Sequence, residues 1–190
     1  MRIFGVILAG GSGRRMGGAD KALLTLAGHP LVTHVQDRFE PQVERLALSA
    51  NGEPVRFAFT GLPVLADRIG AGPLAGVLAA LQWAEGADAV VSVSVDTPFL
   101  PGDLVPRLWL ASDGGLAVAA SGGRLHPTCA LWPRAILPEL QAYLAAGHAR
   151  VMDFCAAQAA AEARFPDAQG DPFRNLNTPD DLISAEALLA

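Results

Sequence analysis

Apolar runs of strand length alternate along the chain with longer segments that carry apolar residues at helical spacing. Ile3–Leu8 is a short apolar run, and Arg45–Ala50 and Pro63–Ala66 are two more. Ala89–Val95 reads AVVSVSV, β-branched and alternating serine with valine, which makes it the clearest strand; Leu116–Ala120 is another. Helices are predicted over Pro30–Glu40, Pro73–Trp83, Pro101–Leu110, Pro133–Ala146 and Arg150–Ala161. Several open with proline, whose missing N–H is no loss in a first helical turn. A last helix is predicted from Thr178, with a capping hydroxyl, Pro179 at its first position, and Asp180 and Asp181 near its positive end.

Strands alternating with helices predict an α/β domain with a mainly parallel central sheet flanked by helices. No internal repeat or low-complexity linker interrupts the pattern, so residues 1–190 are read as one domain. Gly114, Gly115, Gly122 and Gly123 mark turns in the second half. In such sheets ligands bind beyond the carboxyl ends of the strands. That rule directs attention to the residues after Leu8, those after Ala50, Asp67 and Asp96.

Composition narrows the classes. A chain of 190 residues, 51% hydrophobic and 17% charged, buries a full core and is not wholly disordered. Its 19 acidic and 14 basic side chains leave a net charge of −5, with no global electrostatic footprint for nucleic acid. No apolar run approaches the roughly 18 residues that a membrane helix needs, so no membrane partner is expected. The opening Met1-Arg2 and Ile3–Ala9 superficially resemble a short signal peptide. They run directly into Gly10-Gly11 and Arg14-Arg15 without a cleavage pattern, and read instead as a buried strand. Cys129 and Cys155 lack metal-ligand or disulfide spacing and are expected as small core residues of a cytoplasmic protein.

Charge chemistry concentrates in one place. Lys21 is the single lysine among the 14 basic side chains, and it closes a loop, LAGGSGRRMGGADK, that carries Gly10, Gly11, Gly13, Gly17 and Gly18 with Arg14 and Arg15. Glycines let backbone N–H groups approach an anion closely, while arginine offers a planar fork and lysine a compact point charge. The P-loop pattern fails, because Ala22 follows the lysine; the dinucleotide fingerprint fails, because the next glycine after Gly13 is Gly17. On spacing alone this is a phosphate loop of a third kind, or a plain surface loop. Asp96, at the end of the clearest strand, is placed either to hold a metal against phosphate oxygens or to serve as a turn or cap residue.

The motif Leu8–Gly11, Arg15–Gly18, Asp20-Lys21 and Leu23 resembles the signature of the molybdenum cofactor guanylyltransferases. These are small nucleotidyltransferases with a Rossmann-like, glycosyltransferase-A type fold. The likeness continues through Pro30-Leu31, Ser49-Ala50-Asn51, Gly72-Pro73-Leu74-Ala75-Gly76 and Asp96-Thr97-Pro98. It ends with His126-Pro127, Ala130-Leu131-Trp132 and Asn175-x-Asn177-Thr178-Pro179, so it spans essentially the whole chain in order.

The resemblance implies transfer of GMP from GTP to the terminal phosphate of molybdopterin, with Mg²⁺ as cofactor. It makes Asp96 the metal ligand, and Arg15, Lys21 and Asp96 the catalytic groups. It places Leu8, Ala9, Gly10, Gly11, Gly18, Lys21, Asn51, Asp67, Gly72, Gly76 and Asp96 around GTP, mainly in the N-terminal half. Arg124, His126, Asn175 and Asn177 become candidates for the pterin, mainly in the C-terminal half. The expected partners are these two small molecules, with transient contacts from a monomer to molybdenum-insertion proteins and apoenzyme chaperones. A CTP-using cytidylyltransferase, a sugar-1-phosphate nucleotidyltransferase and a non-catalytic GTP-binding module are the competing readings. Gly10 and the GPLAG segment favour GTP over CTP.

Overall fold

The computed structural model describes residues 1–10, 20–66, 72–168 and 170–187. The elements run in the order β1 Ile3–Leu8, β2 Thr25–Leu26, β3 His29–Pro30, α1 Leu31–Phe39, β4 Arg45–Ser49, β5 Val64–Leu65, α2 Pro73–Trp83 and β6 Ala89–Ser94. They continue with α3 Leu104–Ser112, β7 Ala117–Ser121, β8 Arg124–Pro133, α4 Leu137–Ala145, α5 Val151–Ala157, β9 Ala161–Arg164 and α6 Pro179–Glu186. Among the described residues seven strands form one sheet in the order β5-β4-β1-β6-β8-β7-β9. Among the described residues β8 alone runs against the others, so the sheet is mainly parallel, as the alternation predicts. A separate small ribbon pairs β2 with β3.

The fully apolar β1 lies centrally, buried at every position, because both faces of the sheet are covered. One face packs Ile7, Val91 and Val93 against Val35 and Phe39 of α1 and Leu104 and Leu108 of α3. The other packs Phe4, Val6 and Leu8 against Leu74, Val77 and Leu81 of α2 and Leu140 of α4. Cys129 is in the first cluster and Cys155 in the second, both free and buried, in keeping with the expected core role.

One element departs from the pattern-based expectation, and another forms where the pattern predicts no strand. The helix predicted over Arg150–Ala161 stops at Ala157; Ala159 turns with φ +49°, and Ala161–Arg164 becomes the edge strand β9 beside β7. Burial of Ala163 against the sheet overrides the helix preference of an Ala/Glu-rich stretch. Residues 124–133 form the ten-residue strand β8, although they contain Pro127. The register against β7 jumps from Val118 opposite Ala130 to Ala119 opposite His126. Pro127 therefore sits in a bulge, where no ladder N–H is required of it.

Candidate active site

Register brings the predicted positions together. Leu8 lies opposite both Ser49 and Ser94, so β4, β1 and β6 end level with one another. The Ala9 N–H donates to the Ser49 carbonyl at 2.9 Å, and the Val95 N–H donates to the Leu8 carbonyl at 3.1 Å. Ala9-Gly10, Ala50-Asn51 and Val95-Asp96 thus leave the sheet along one edge. Gly10 and Asn51 are exposed there, while Leu8 and Ala9 are buried. The loop's Gly11, Arg15 and Gly18, and likewise Asp67, lie outside the described residues.

Lys21 returns to this edge. Asp20 accepts the Ala22 N–H at 3.1 Å and caps the single turn Lys21–Leu23. The Lys21 ammonium then donates to Asp96 Oδ2 at 2.8 Å and to Asn177 Oδ1. Side chains 75 and 156 residues from Lys21 in sequence meet at one nitrogen, with Lys21 and Asp96 only 16% and 17% exposed. Asp96 caps no helix; the N-cap of α3 is Asp103, which pairs with Arg107. Asp96 Oδ1 is buried and has no hydrogen-bond partner among the described residues. A buried carboxylate oxygen in that position is under-coordinated and suits a hard cation. The described residues hold no cluster of three or more acidic, His or Cys side chains around it.

The α2 helix approaches the same edge. Gly72 precedes it with φ +88°, and a Cβ on Gly76 would sit 2.5 Å from Ser49 Oγ and 2.8 Å from Leu8 Cδ2. Only glycine permits that approach of helix to strand ends. On the opposite flank, Arg56, a residue that no motif singles out, donates to Asp20 Oδ2 at 2.7 Å, to the Glu53 carbonyl at 2.7 Å and to the Asn51 carbonyl.

The predicted second-substrate residues divide. Asn177 joins Lys21, and its N–H and that of Thr178 each donate to Asp181 Oδ2 at 2.9 Å within the capping box of α6. These bonds, that from Asn177 foremost, hold the Asp181 carboxyl below its usual range. Asn175 is exposed, two residues away across the buried Leu176, whose N–H donates to the Asp96 carbonyl at 2.9 Å. Arg124 is exposed and lines a groove of about 300 Å³ with Gly122, Gly123, Glu162 and Arg164. His126 is buried beside Phe173, its Nε2 2.9 Å from Ser121 Oγ, which donates to Asp171 Oδ1 at 2.6 Å. Asp171 can only accept, so the serine proton points to it and His126 Nε2 carries the proton that the serine oxygen accepts. Burial lowers the His126 pKa, against the pull of the Asp171 carboxylate. Asp171 also accepts the Phe173 N–H at 2.9 Å, so residues 171–177 form a strap from the end of β7 to Lys21.

Comparison with known proteins gives a consistent result. A family model described as the MobA-like NTP transferase domain matches residues 5–162. A protein of Cereibacter sphaeroides named molybdenum cofactor guanylyltransferase is 63% identical over 191 residues, covering 100% of this chain and 98% of its own. Among solved structures, molybdopterin-guanine dinucleotide biosynthesis protein A from Archaeoglobus fulgidus superposes with a TM-score of 0.79 at 22% identity, covering 98% of each chain. A Mycobacterium tuberculosis protein solved in complex with manganese has a TM-score of 0.74 at 18% identity, covering 98% of this chain and 99% of its own. No helix among the described residues is long and apolar enough to cross a membrane.

Proposed function

The chain belongs to the MobA-like NTP transferases, and from that premise we propose that it transfers GMP from GTP to the terminal phosphate of molybdopterin. A phosphate oxygen of the acceptor attacks the α-phosphorus, the new P–O bond forms, and the bond to the β-phosphate oxygen breaks to release pyrophosphate. The product is the guanine dinucleotide form of the cofactor. The observation that carries this reading is the Lys21–Asp96 pair at the level ends of β1, β4 and β6, with Asp96 Oδ1 left without a partner among the described residues.

The chain's own groups do the positioning. An ammonium has three donors; two of those on Lys21 go to Asp96 and Asn177, and the third, which meets no acceptor among the described residues, can serve a phosphate oxygen. Arg15 adds a second cation from the glycine loop. Asp96 supplies the oxygen for Mg²⁺, which when bound neutralises charge on the phosphates. Gly10, Gly11 and Gly18 line the phosphates; Leu8, Ala9, Asn51, Asp67, Gly72 and Gly76 surround the nucleoside. Since the Ala9 N–H is engaged by Ser49, Ala9 serves as wall rather than donor. Arg124, His126, Asn175 and Asn177 face the pterin side. Phosphoryl transfer of this kind needs in-line placement and charge neutralisation, and no covalent nucleophile.

A transfer assay with molybdopterin as acceptor, run with GTP or CTP and with or without Mg²⁺, tests the proposal. GTP-dependent release of pyrophosphate that stops on chelation is expected. Preferential use of CTP, or stoichiometric GTP binding without pyrophosphate release, overturns it.

A further inference from the structure

Arg56 lies outside every motif that resembles a known signature, yet its surroundings are built around its guanidinium. Its three nitrogens donate in three directions, to the Asp20 carboxylate, the Glu53 carbonyl and the Asn51 carbonyl. The wholly buried Phe57 ring supports it from one side, with its centroid 4.5 Å from Cζ. Gly52 also packs close to it: it turns with φ +84°, and a Cβ there would lie 3.2 Å from Nη1. Arg56 and Asp20 are each only 26% exposed.

What this cluster joins matters more than its own strength, since a partly exposed ion pair contributes little by itself. Asp20 adjoins Lys21 and caps the turn that presents it. Asn51 and Glu53 belong to the loop that leaves β4. These are the phosphate end and the nucleoside end of the proposed GTP site. A guanidinium can hold a carboxylate and two carbonyls at once because its donors form a rigid planar fork; an ammonium cannot span the same three acceptors.

We propose that Arg56 is a positioning residue for GTP, fixing the segment that carries Lys21 against the loop that carries Asn51. This rests on the nucleotidyl-transfer reading above. Arg56 acts through Asp20 and the Asn51 carbonyl, whereas the Lys21 ammonium keeps its own bonds to Asp96 and Asn177, so loss of Arg56 loosens nucleotide binding and leaves acceptor binding and most of the chemical step in place.

The test compares Arg56→Ala, Arg56→Lys, Asp20→Asn and the Asp20→Asn/Arg56→Ala double variant, with the exposed Arg38→Ala as control. Steady-state KM for each substrate, kcat, melting temperature, and the Kd for GTP measured by calorimetry without acceptor are read. Arg56→Ala is expected to raise the KM and Kd for GTP about tenfold or more, with kcat and the molybdopterin KM within about twofold of wild type. Arg56→Lys should match it, because charge alone does not restore the fork. The double variant should be no worse than Arg56→Ala, since both changes break one coupled unit. An unchanged GTP Kd in Arg56→Ala, full rescue by lysine, or additive effects of the two substitutions overturns the inference. If Arg56→Ala does not fold, Arg56→Lys and Asp20→Asn carry the same comparison. Failure of the wild-type protein to transfer GMP would instead overturn the functional reading, and the calorimetry would still decide the role of Arg56.

Discussion

A single nitrogen gathers the chemistry at the scale of the residue. Lys21 Nζ contacts Asp96 and Asn177, so one ammonium links the phosphate loop, the end of β6 and the C-terminal strap. Lys21→Ala and Asp96→Ala are each expected to lower turnover by about 10²- to 10³-fold, in line with loss of a preorganised electrostatic group. Both side chains keep some contact with water, 16% and 17% exposed, so the partner left behind can be rehydrated and folding should remain cooperative. Lys21→Arg should also fail. A planar fork does not fit where a compact charge sits between a carboxylate and an amide oxygen. Turnover measured beside a thermal melt checks all three, and near wild-type transfer in either alanine variant would remove that residue from the catalytic set.

Among elements, the contact of α2 with the ends of β1 and β4 sets the shape of the edge. Alanine at Gly76 would gain roughly 1 kcal/mol of helix propensity, but its Cβ would press on Ser49 Oγ at 2.5 Å and Leu8 Cδ2 at 2.8 Å. Overpacking of this kind costs about 1–3 kcal/mol, so Gly76→Ala should lower the denaturation midpoint and raise the KM for GTP by backing the helix away. A more stable variant would refute the close packing. Legibility in the sequence follows the same division. The parallel strands β1, β4 and β6 could be read because strands covered on both faces are predominantly apolar, β6 also through its run of β-branched valines. Strand β8 could not, because Pro127 reads as a breaker until a bulge accommodates it, and β9 is hidden in helix-favouring composition whose partner β7 lies some forty residues earlier. The site divides likewise. Lys21, Asp96 and Asn177 carry a recognisable motif, whereas Arg56 and Asp171 acquire meaning only from partners 36 and 50 residues away.

For the whole molecule, the two cysteines report on the two sides of the sheet. Cys129 is fully buried in the cluster under α1 and α3, and Cys155 is 3% exposed in the cluster under α2 and α4. Burial pushes the Cys129 thiol up to about 12 and the Cys155 thiol up to about 11. The thiolate is the nucleophile, so at pH 8 both thiols stay protonated as well as shielded. Neither should label with a thiol reagent in the native state. The clusters lie back to back on shared strands: β1 contributes Ile7 to one and Val6 to the other, and β6 contributes Val91 and Val90. Neither layer can leave without stripping one face of strands that the other layer needs. A domain of this size with such a shared sheet should lose both faces together. Both thiols are therefore expected to become reactive over one denaturant range, coincident with loss of helical circular dichroism. Labelling of Cys155 at a distinctly lower denaturant concentration than Cys129 would show that the α2–α4–α5 layer opens by itself. In that case the edge where α2 meets Leu8 and Ser49 would be a separately unfolding unit, and nucleotide binding at that edge would stabilise only one side of the protein.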